Sequence, residues 1–368
     1  RSDTPPERFT SPADKSRAMP AEFRTPPPAE PGDRVAVLAP SSGGAANARH
    51  VLDLSLQRLR DQFDLEPVVY PTARQSDAFL DRSPRARAAD LHAAFRDPEI
   101  SAVFATIGGD DQLRVLDYLD PAVLREHPTR FFGMSDNTNL ALFLWTHGIV
   151  SYYGGQLLNQ VGVPGSLDDY SERYLRRALF DERLGALTGA DRWTDAVYDW
   201  ETDDYVGQSV RYEDAPGWSC YGDAAVEGRV WGGCLAVLRW QLATNRYLPD
   251  PARLDGQVLA IETAEDLPDA DRVRWTLQAM GERGLLERFD GVLVGRPRTR
   301  NRFEDRDDET RERYREDQRS EILSMLDRYN PDTTVVFDLD FGHTNPTAPI
   351  PIGGCVEIDP ERESIRFV

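Results

Sequence analysis

The chain has 368 residues, a net charge of −20 at pH 7, 40% hydrophobic residues and 29% charged residues. This length exceeds one ordinary hydrophobic core and predicts two domains, and the balance of apolar and charged residues is typical of a globular protein. The acidic charge argues against a nucleic acid polymer as partner, and the apolar runs are too short to predict a membrane span.

Four segments are predicted along the chain. Residues 1–32 are rich in proline and charge, which predicts a disordered arm because such a segment buries little apolar surface. In residues 33–160, apolar strands alternate with helical patterns, which is typical of βαβ units around a mostly parallel sheet. The pattern in residues 161–222 predicts a linker helix followed by an acidic, aromatic-rich loop. In residues 223–368, apolar strands again alternate with helical patterns. The predicted fold is therefore α/β, with a smaller C-terminal α/β domain after the first.

Cysteine and histidine are too scattered to predict a metal site. The cysteines are Cys220, Cys234 and Cys355, and no pair has the C-x-x-C spacing. The five histidines show no spacing that would place two metal ligands together. We therefore predict no metal, no cofactor and no disulfide framework, and the free thiols favour a cytoplasmic protein.

Residues with polar side chains or exposed backbone N–H groups follow four of the apolar runs, at the points where strands are predicted to end. They are Gly108 with Gly109, Ser135, Glu262 and His343. Ligands of open α/β sheets bind beyond the carboxyl ends of the strands. A serine, an imidazole that can take its proton, a carboxylate that can orient the imidazole, and exposed glycine N–H groups are the parts of an acyl-transfer site.

Each of these residues also has a structural alternative. A serine before a helix is commonly an N-cap, and Glu262 could cap the helix that follows its strand. His343 could be a turn residue, and the glycine pair could form a plain tight turn. A glutamine amidotransferase site is excluded, because that chemistry needs a cysteine at the strand-to-helix turn and the first cysteine is Cys220.

The order of these motifs resembles the LD-carboxypeptidase and microcin C immunity family of serine peptidases. The resemblance runs from about residue 33 to the C-terminus and rests on VAVLAPSS, ATIGGDD, FFGMSDNTNL, YYGGQ, GRVWGGCL, LAIET, GVLVGRP and FGHTNP. It implies a flavodoxin-like or amidotransferase-like N-terminal domain and an active site in the cleft between the two domains. It also implies an enzyme that needs no metal and is commonly a homodimer.

The resemblance further implies the roles of individual residues. The catalytic triad would consist of Ser135, His343 and Glu262. The oxyanion hole would use the backbone N–H groups of Asp136 and Gly109. Together these residues would form an acyl-enzyme on the serine during hydrolysis of an amide bond.

Two branches of the family differ in substrate. One removes a terminal D-alanine from peptidoglycan tetrapeptides and typically shows R-G-G-Y-G where this chain has I-G-G-D-D. The other cleaves the amide that joins an aminoacyl group to a nucleotide, and its Trp-bearing loop is similar to RWTDAVYDWE. We favour a small peptide or aminoacyl-nucleotide substrate, contacted by Gly108, Asp110, Trp193 and Trp200. The alternatives are an LD-carboxypeptidase and a homologue that binds a small ligand without catalysis.

Overall fold

The computed structural model describes residues 22–200, 202, 204–304 and 306–368, which form two main sheets with surrounding helices. The strands are β1 (Arg34–Leu38), β2 (Glu66–Val69), β3 (Ile100–Ala105), β4 (Arg130–Gly133), β5 (Ser151–Tyr153), β6 (Gly185–Leu187), β7 (Arg192–Trp193), β8 (Glu213–Asp214), β9 (Ser219–Tyr221), β10 (Val226–Cys234), β11 (Gln257–Glu262), β12 (Phe289–Gly295), β13 (Thr334–Leu339), β14 (Ile350–Ile352), β15 (Cys355–Asp359) and β16 (Ser364–Phe367). The helices are α1 (Gly44–Asn47), α2 (Arg49–Asp61), α3 (Asp77–Arg82), α4 (Pro84–Arg96), α5 (Pro121–Glu126), α6 (Thr138–Thr146), α7 (Asp169–Phe180), α8 (Leu235–Thr244), α9 (Ala270–Glu282) and α10 (Asp308–Tyr329). Within the described residues, no helix has the length and apolar character needed to cross a membrane.

The first sheet has the strand order β14-β5-β4-β3-β1-β2. Strands β1 to β5 run parallel, and β14 returns from the C-terminal part of the chain to pair antiparallel with β5. The central strands are buried along nearly their whole length, as expected for a parallel sheet with helices on both faces. The predicted α/β class and the parallel-sheet N-terminal domain are confirmed. Because β3 and β4 are neighbours, the turns that carry Gly108 and Ser135 leave the sheet side by side.

The second sheet brings the two polar residues of the C-terminal half to one edge. Its strand order is β6-β16-β15-β10-β11-β12-β13-β9, and β10 to β13 run parallel. Glu262 ends β11, and His343 lies beyond β13, so that β12 stands between them. At Gly295, the last residue of β12, a Cβ atom would lie 2.9 Å from Glu262 Cβ and 2.6 Å from the Phe341 carbonyl oxygen. A glycine here leaves room for Glu262 and the loop of His343 to meet.

The segment predicted as a linker is partly built into the second sheet. Helix α7 lies where a helix is predicted, but β6 then pairs with β16, and β9 pairs with β13. Strands β7 and β8 form a separate two-stranded ribbon. Backbone pairing therefore orders parts of a stretch whose polar composition is typical of a loop.

The N-terminal segment packs against the first domain from residue 22 onward. The Arg24 N–H donates to the Gly148 carbonyl at 2.8 Å, and the buried guanidinium of Arg130 donates to the carbonyl oxygens of Pro26 and Pro27. Residues 22–32 therefore differ from the predicted disordered arm, because the buried Arg130 guanidinium donates to carbonyl oxygens of this proline-rich segment. The rest of the predicted arm, residues 1–21, lies outside the described residues.

Candidate active site

Ser135 occupies a sharp turn between β4 and α6. Its φ angle is 61°, in the left-handed region that non-glycine residues seldom adopt. A short 3₁₀ turn, Ser135–Asn137, follows at once, and its N-cap residue is Met134. Ser135 is therefore not the helix cap, the alternative that the sequence left open. A serine on a strained strand-to-helix turn is the arrangement that exposes the nucleophile of many hydrolases.

Gly108 lies directly against this serine. A Cβ atom at Gly108 would lie 2.8 Å from Ser135 Cβ, 3.1 Å from its Oγ and 3.3 Å from the Asp136 nitrogen. The Asp136 N–H belongs to the first turn of its helix, where N–H groups lack an intrahelical acceptor. Gly109 packs instead against Ser41 and Ser42, so Gly108 is the glycine nearest the hydroxyl.

Two acids of this region, Asp110 and Asp136, differ in their surroundings. Asp110 is exposed, whereas the side chain of Asp136 is buried. The Asp136 carboxylate accepts hydrogen bonds from the Gln112 N–H at 2.9 Å, from Asn139 Nδ2 at 2.8 Å and from the Ser41 hydroxyl. Burial raises the pKa of Asp136 to about 6, although these donors oppose the shift. The carboxylate thus ties the loop after β3 to the turn of Ser135.

Glu262 and His343 are joined by a hydrogen bond. Glu262 is 2% exposed, and its Oε2 lies 2.7 Å from His343 Nδ1. This contact occupies Nδ1, so proton transfer between the ring and another group would use Nε2. The structure therefore brings together the predicted carboxylate and imidazole, which are 81 residues apart in the chain.

Tyr153 links this pair to Ser135, and the sequence reasoning missed it. Its hydroxyl donates to Glu262 Oε1 at 2.6 Å and accepts from the Ser135 N–H at 3.0 Å. Burial, reinforced by the charge of Glu262, raises the pKa of Tyr153 well above its ordinary value, so the hydroxyl keeps its proton. The one feature of the sequence that could have identified Tyr153 as a site residue is its place at the carboxyl end of β5, in the YYGG motif. The bridge ties the first domain to the second at the candidate site.

We expect Tyr153→Phe to lower kcat by about 10- to 100-fold and to lower the melting temperature. The change removes a donor to a buried carboxylate and the acceptor of the Ser135 N–H, and such charged hydrogen bonds are worth about 1.5–3 kcal/mol. Steady-state kinetics and thermal unfolding measure both effects. Tyr152→Phe is the matched control, because the Tyr152 ring stacks on Phe132 on the other face of the strand. Equal kcat values for the two variants would contradict the bridging role.

A second carboxylate lies on the other side of the His343 ring. Glu265 Oε2 lies 3.0 Å from Nε2, and the Glu265 side chain is 61% exposed. Burial alone would lower the pKa of His343, but the charges of Glu262 and then Glu265 outweigh it and raise the pKa to about 10. The two carboxylates therefore favour the protonated ring, which can donate to one carboxylate at each ring nitrogen.

The two tryptophans predicted to contact substrate are packed within the protein. Trp193 is 2% exposed, and the guanidinium groups of Arg296, Arg311 and Arg315 lie 5.3 to 5.6 Å from its ring centre. Trp200 is partly buried against the main hydrophobic core. Contact of either indole with a ligand stays a prediction. Among the described residues, no group of three His, Cys, Asp or Glu side chains could hold a metal ion.

Two protein-family models match the chain, one in its N-terminal part and one in its C-terminal part. A model of the LD-carboxypeptidase N-terminal domain matches residues 35–154, and a model of the C-terminal domain matches residues 227–358. The chain belongs to the LD-carboxypeptidase family, peptidase S66. It is therefore a serine peptidase, as the motif resemblance predicted.

Relatives within this family carry different functional names. A putative carboxypeptidase of Vibrio cholerae is 26% identical, over 89% of this chain and 93% of the relative. The microcin C7 self-immunity protein MccF of Escherichia coli is 24% identical, over 80% of this chain and 81% of the relative. A probable murein peptide carboxypeptidase of Bacillus subtilis is 30% identical, over 72% of each chain.

Solved structures share the fold of this S66 peptidase. An MccF-like protein from Streptococcus pneumoniae, solved in complex with AMP, has a TM-score of 0.81 at 28% identity and covers 91% of this chain and 98% of its own. MccF in complex with aspartyl sulfamoyl adenosine has a TM-score of 0.79 at 20% identity and covers 93% and 97% of the two chains. At that identity, the second likeness shows the fold alone.

Proposed function

We propose that this S66 peptidase hydrolyses an amide bond through a triad of Ser135, His343 and Glu262. The observation that carries the proposal is the hydrogen-bonded chain from the Ser135 N–H through Tyr153 to Glu262 and on to His343. This chain of contacts supports the proposal because an imidazole oriented by a carboxylate can activate a serine hydroxyl without a metal.

Catalysis would proceed through an acyl-enzyme. Ser135 Oγ attacks the scissile carbonyl carbon while its proton passes to Nε2 of His343. The resulting oxyanion accepts hydrogen bonds from the Asp136 N–H and from a backbone N–H of Gly108 or Gly109. Nε2 then gives the proton to the leaving nitrogen, and the C–N bond breaks. A water molecule repeats the sequence, which releases the acid and restores the serine hydroxyl.

Glu262 would hold the imidazole in the reactive orientation. With Nδ1–H bound to Glu262 Oε2, the neutral ring carries its lone pair on Nε2, the nitrogen that must receive the serine proton. The same carboxylate stabilises the imidazolium that forms during attack. Tyr153 and the burial of Glu262 fix this carboxylate in place, so little reorganisation is needed during the reaction.

For the substrate, we propose an aminoacyl-nucleotide conjugate or a small peptide of similar size. The Streptococcus pneumoniae relative was solved in complex with AMP. The segment RWTDAVYDWE of this chain resembles the Trp-bearing loop of the branch that cleaves aminoacyl-nucleotide conjugates. Removal of a terminal D-alanine from a peptidoglycan tetrapeptide is the second candidate, favoured by the murein peptide carboxypeptidase relative. We also propose that the protein is a cytoplasmic homodimer. Light scattering after size-exclusion chromatography measures its oligomeric state.

A hydrolysis panel tests the proposed substrate class. The purified protein is incubated with aspartyl sulfamoyl adenosine, glutamyl sulfamoyl adenosine and an L,D-tetrapeptide ending in D-alanine, with Ser135→Ala as the blank. We expect the two aminoacyl sulfamoyl adenosines to release the free amino acid and sulfamoyl adenosine. Liquid chromatography with mass spectrometry measures these products. Cleavage of the tetrapeptide alone would assign the protein to the peptidoglycan branch. Binding of these compounds without any cleavage would assign it as a non-catalytic homologue.

A further inference from the structure

Glu265 occupies the edge of His343 that the proposed reaction needs. Its Oε2 lies 3.0 Å from Nε2, the atom that must accept the serine proton. His343 is 7% exposed, whereas the Glu265 side chain is 61% exposed and belongs to the segment between β11 and α9. The carboxylate therefore approaches the buried imidazole from the solvent side, where a substrate would also enter.

The charges around His343 come from several elements. Glu262 on β11 and Glu265 after it face the two ring nitrogens. Tyr153 on β5 and Cys234 on β10 lie against Glu262, and Arg298, beyond β12, lies near Glu265. Arg298 donates its own hydrogen bonds to the carbonyl oxygens of Arg300 and Asp195, at 2.7 and 3.4 Å.

In its protonated form, His343 is the hydrogen-bonded cationic partner of Glu265. Partial burial opposes ionisation of Glu265, but the charge of His343 and its hydrogen bond outweigh this and lower the pKa of Glu265 to about 2. Before His343 can act as a base, Nε2 must release its proton to water and Glu265 must turn away from it. The site then holds two carboxylates, Glu262 and Glu265, beside a neutral ring. A cationic group of the substrate would restore the balance of charge.

We propose that Glu265 is a specificity-determining residue for the acyl group of the substrate. Its carboxylate binds His343 in the free enzyme, and in the substrate complex it binds a free α-ammonium of the acyl residue instead. This inference rests on the proposed function, since it assumes that Ser135 attacks the acyl carbon beside His343. The α-nitrogen of an aminoacyl group is two bonds from that carbon, so an acyl group seated for attack places its ammonium close to the carboxylate that His343 releases. An acylated α-nitrogen is neutral and cannot replace the imidazolium.

The proposal separates the two substrate classes. An aminoacyl-nucleotide conjugate carries a free α-ammonium beside the scissile bond. In an L,D-tetrapeptide, the α-nitrogen of the residue before D-alanine is part of a peptide bond. Glu265 therefore favours the aminoacyl conjugate, and a charge-assisted hydrogen bond of this type corresponds to a preference of about 10- to 100-fold in kcat/KM.

The test compares kcat/KM for aspartyl sulfamoyl adenosine and its N-acetylated form in wild-type protein and in Glu265→Gln. We expect the wild type to prefer the free amine by about 10- to 100-fold, and Glu265→Gln to lose most of this preference. Asp266→Asn is the matched control, because this neighbouring carboxylate pairs with Arg272 on the surface at 3.0 Å. The control should keep the wild-type preference, and an equal preference in wild type and Glu265→Gln would overturn the proposal.

A pH profile provides a second readout that a purely structural role would not change. In the free enzyme, kcat/KM rises as His343 loses its proton, and Glu265 raises the pKa of His343. Removing that charge should move the acidic limb of the profile to lower pH by about 1 unit, measured with the N-acetylated compound because it has no titrating amine. An unchanged limb in Glu265→Gln would contradict the exchange.

Failure of the proposed function gives a different pattern. If Ser135 is not the nucleophile, Ser135→Ala retains turnover of both compounds, whatever Glu265→Gln does. If only the role of Glu265 is wrong, turnover depends on Ser135 while the preference for the free amine is unaffected by Glu265→Gln.

Discussion

Replacing Ser135 with alanine is expected to lower kcat by about 10⁴- to 10⁶-fold while leaving the protein folded. The hydroxyl is the only group at this turn that can form the acyl-enzyme, and the remaining rate would come from the oxyanion hole and from binding alone. Single-turnover and steady-state rates of aspartyl sulfamoyl adenosine hydrolysis measure the effect. Alanine carries the same steric cost as serine at a φ of 61°, so the melting temperature should change little.

Two further measurements decide whether this loss is chemical. A sulfonyl fluoride should label the wild type once, at Ser135, and should not label Ser135→Ala, as mass spectrometry of peptides would show. Ser135→Gly should be equally inactive but at least as stable as Ser135→Ala, because glycine adopts the left-handed conformation without steric cost. Turnover at the wild-type rate by Ser135→Ala would refute the assignment of the nucleophile.

Replacing Glu262 with glutamine is expected to lower kcat by about 10⁴-fold without a comparable rise in KM. Tyr153 donates to this side chain, so the amide oxygen of glutamine would turn toward Tyr153 and the NH₂ group toward His343 Nδ1. Nδ1 would then have to accept a hydrogen bond, which places the proton of the neutral ring on Nε2. A ring in that tautomer cannot take the proton of Ser135.

Glu357→Gln supplies the control for this substitution. Glu357 is an exposed carboxylate on β15 of the same sheet, so the change removes one charge without touching His343. Its kcat should equal that of the wild type. A kcat for Glu262→Gln close to that of this control would show that Glu262 does not orient the imidazole.

The alternation of apolar runs with helical patterns was sufficient to predict the α/β class and the parallel centre of the first sheet. Strands such as β3 and β4 are buried on both faces, and this produces continuous apolar runs that are visible without a structure. The polar residues after these runs were visible for the same reason, because a strand that ends at a ligand site is followed by groups that can hydrogen-bond. Ser135, Glu262 and His343 were therefore candidates before any contact was known.

Other features depend on contacts between distant parts of the chain. Tyr153 lies in an apolar strand, and its hydroxyl matters only because β11 places Glu262 beside it. Glu265 lies in an acidic surface segment of a chain with net charge −20, where one carboxylate is not distinguishable from the others. The order of residues 22–32 also depends on a distant group, since the guanidinium of Arg130 binds the carbonyl oxygens of that segment.

The sequence by itself determined which chemical groups this protein carries at its strand ends, since local patterns of apolar and polar residues report burial and strand termini. Only the tertiary structure decided how those groups are paired. Hydrogen bonds across 18, 81 and 109 residues of chain join Ser135, Tyr153, Glu262 and His343, and the geometry of these bonds depends on how the two sheets pack. The strained φ angle of Ser135 and the second carboxylate on His343 belong to the same category, because both arise where separate elements converge.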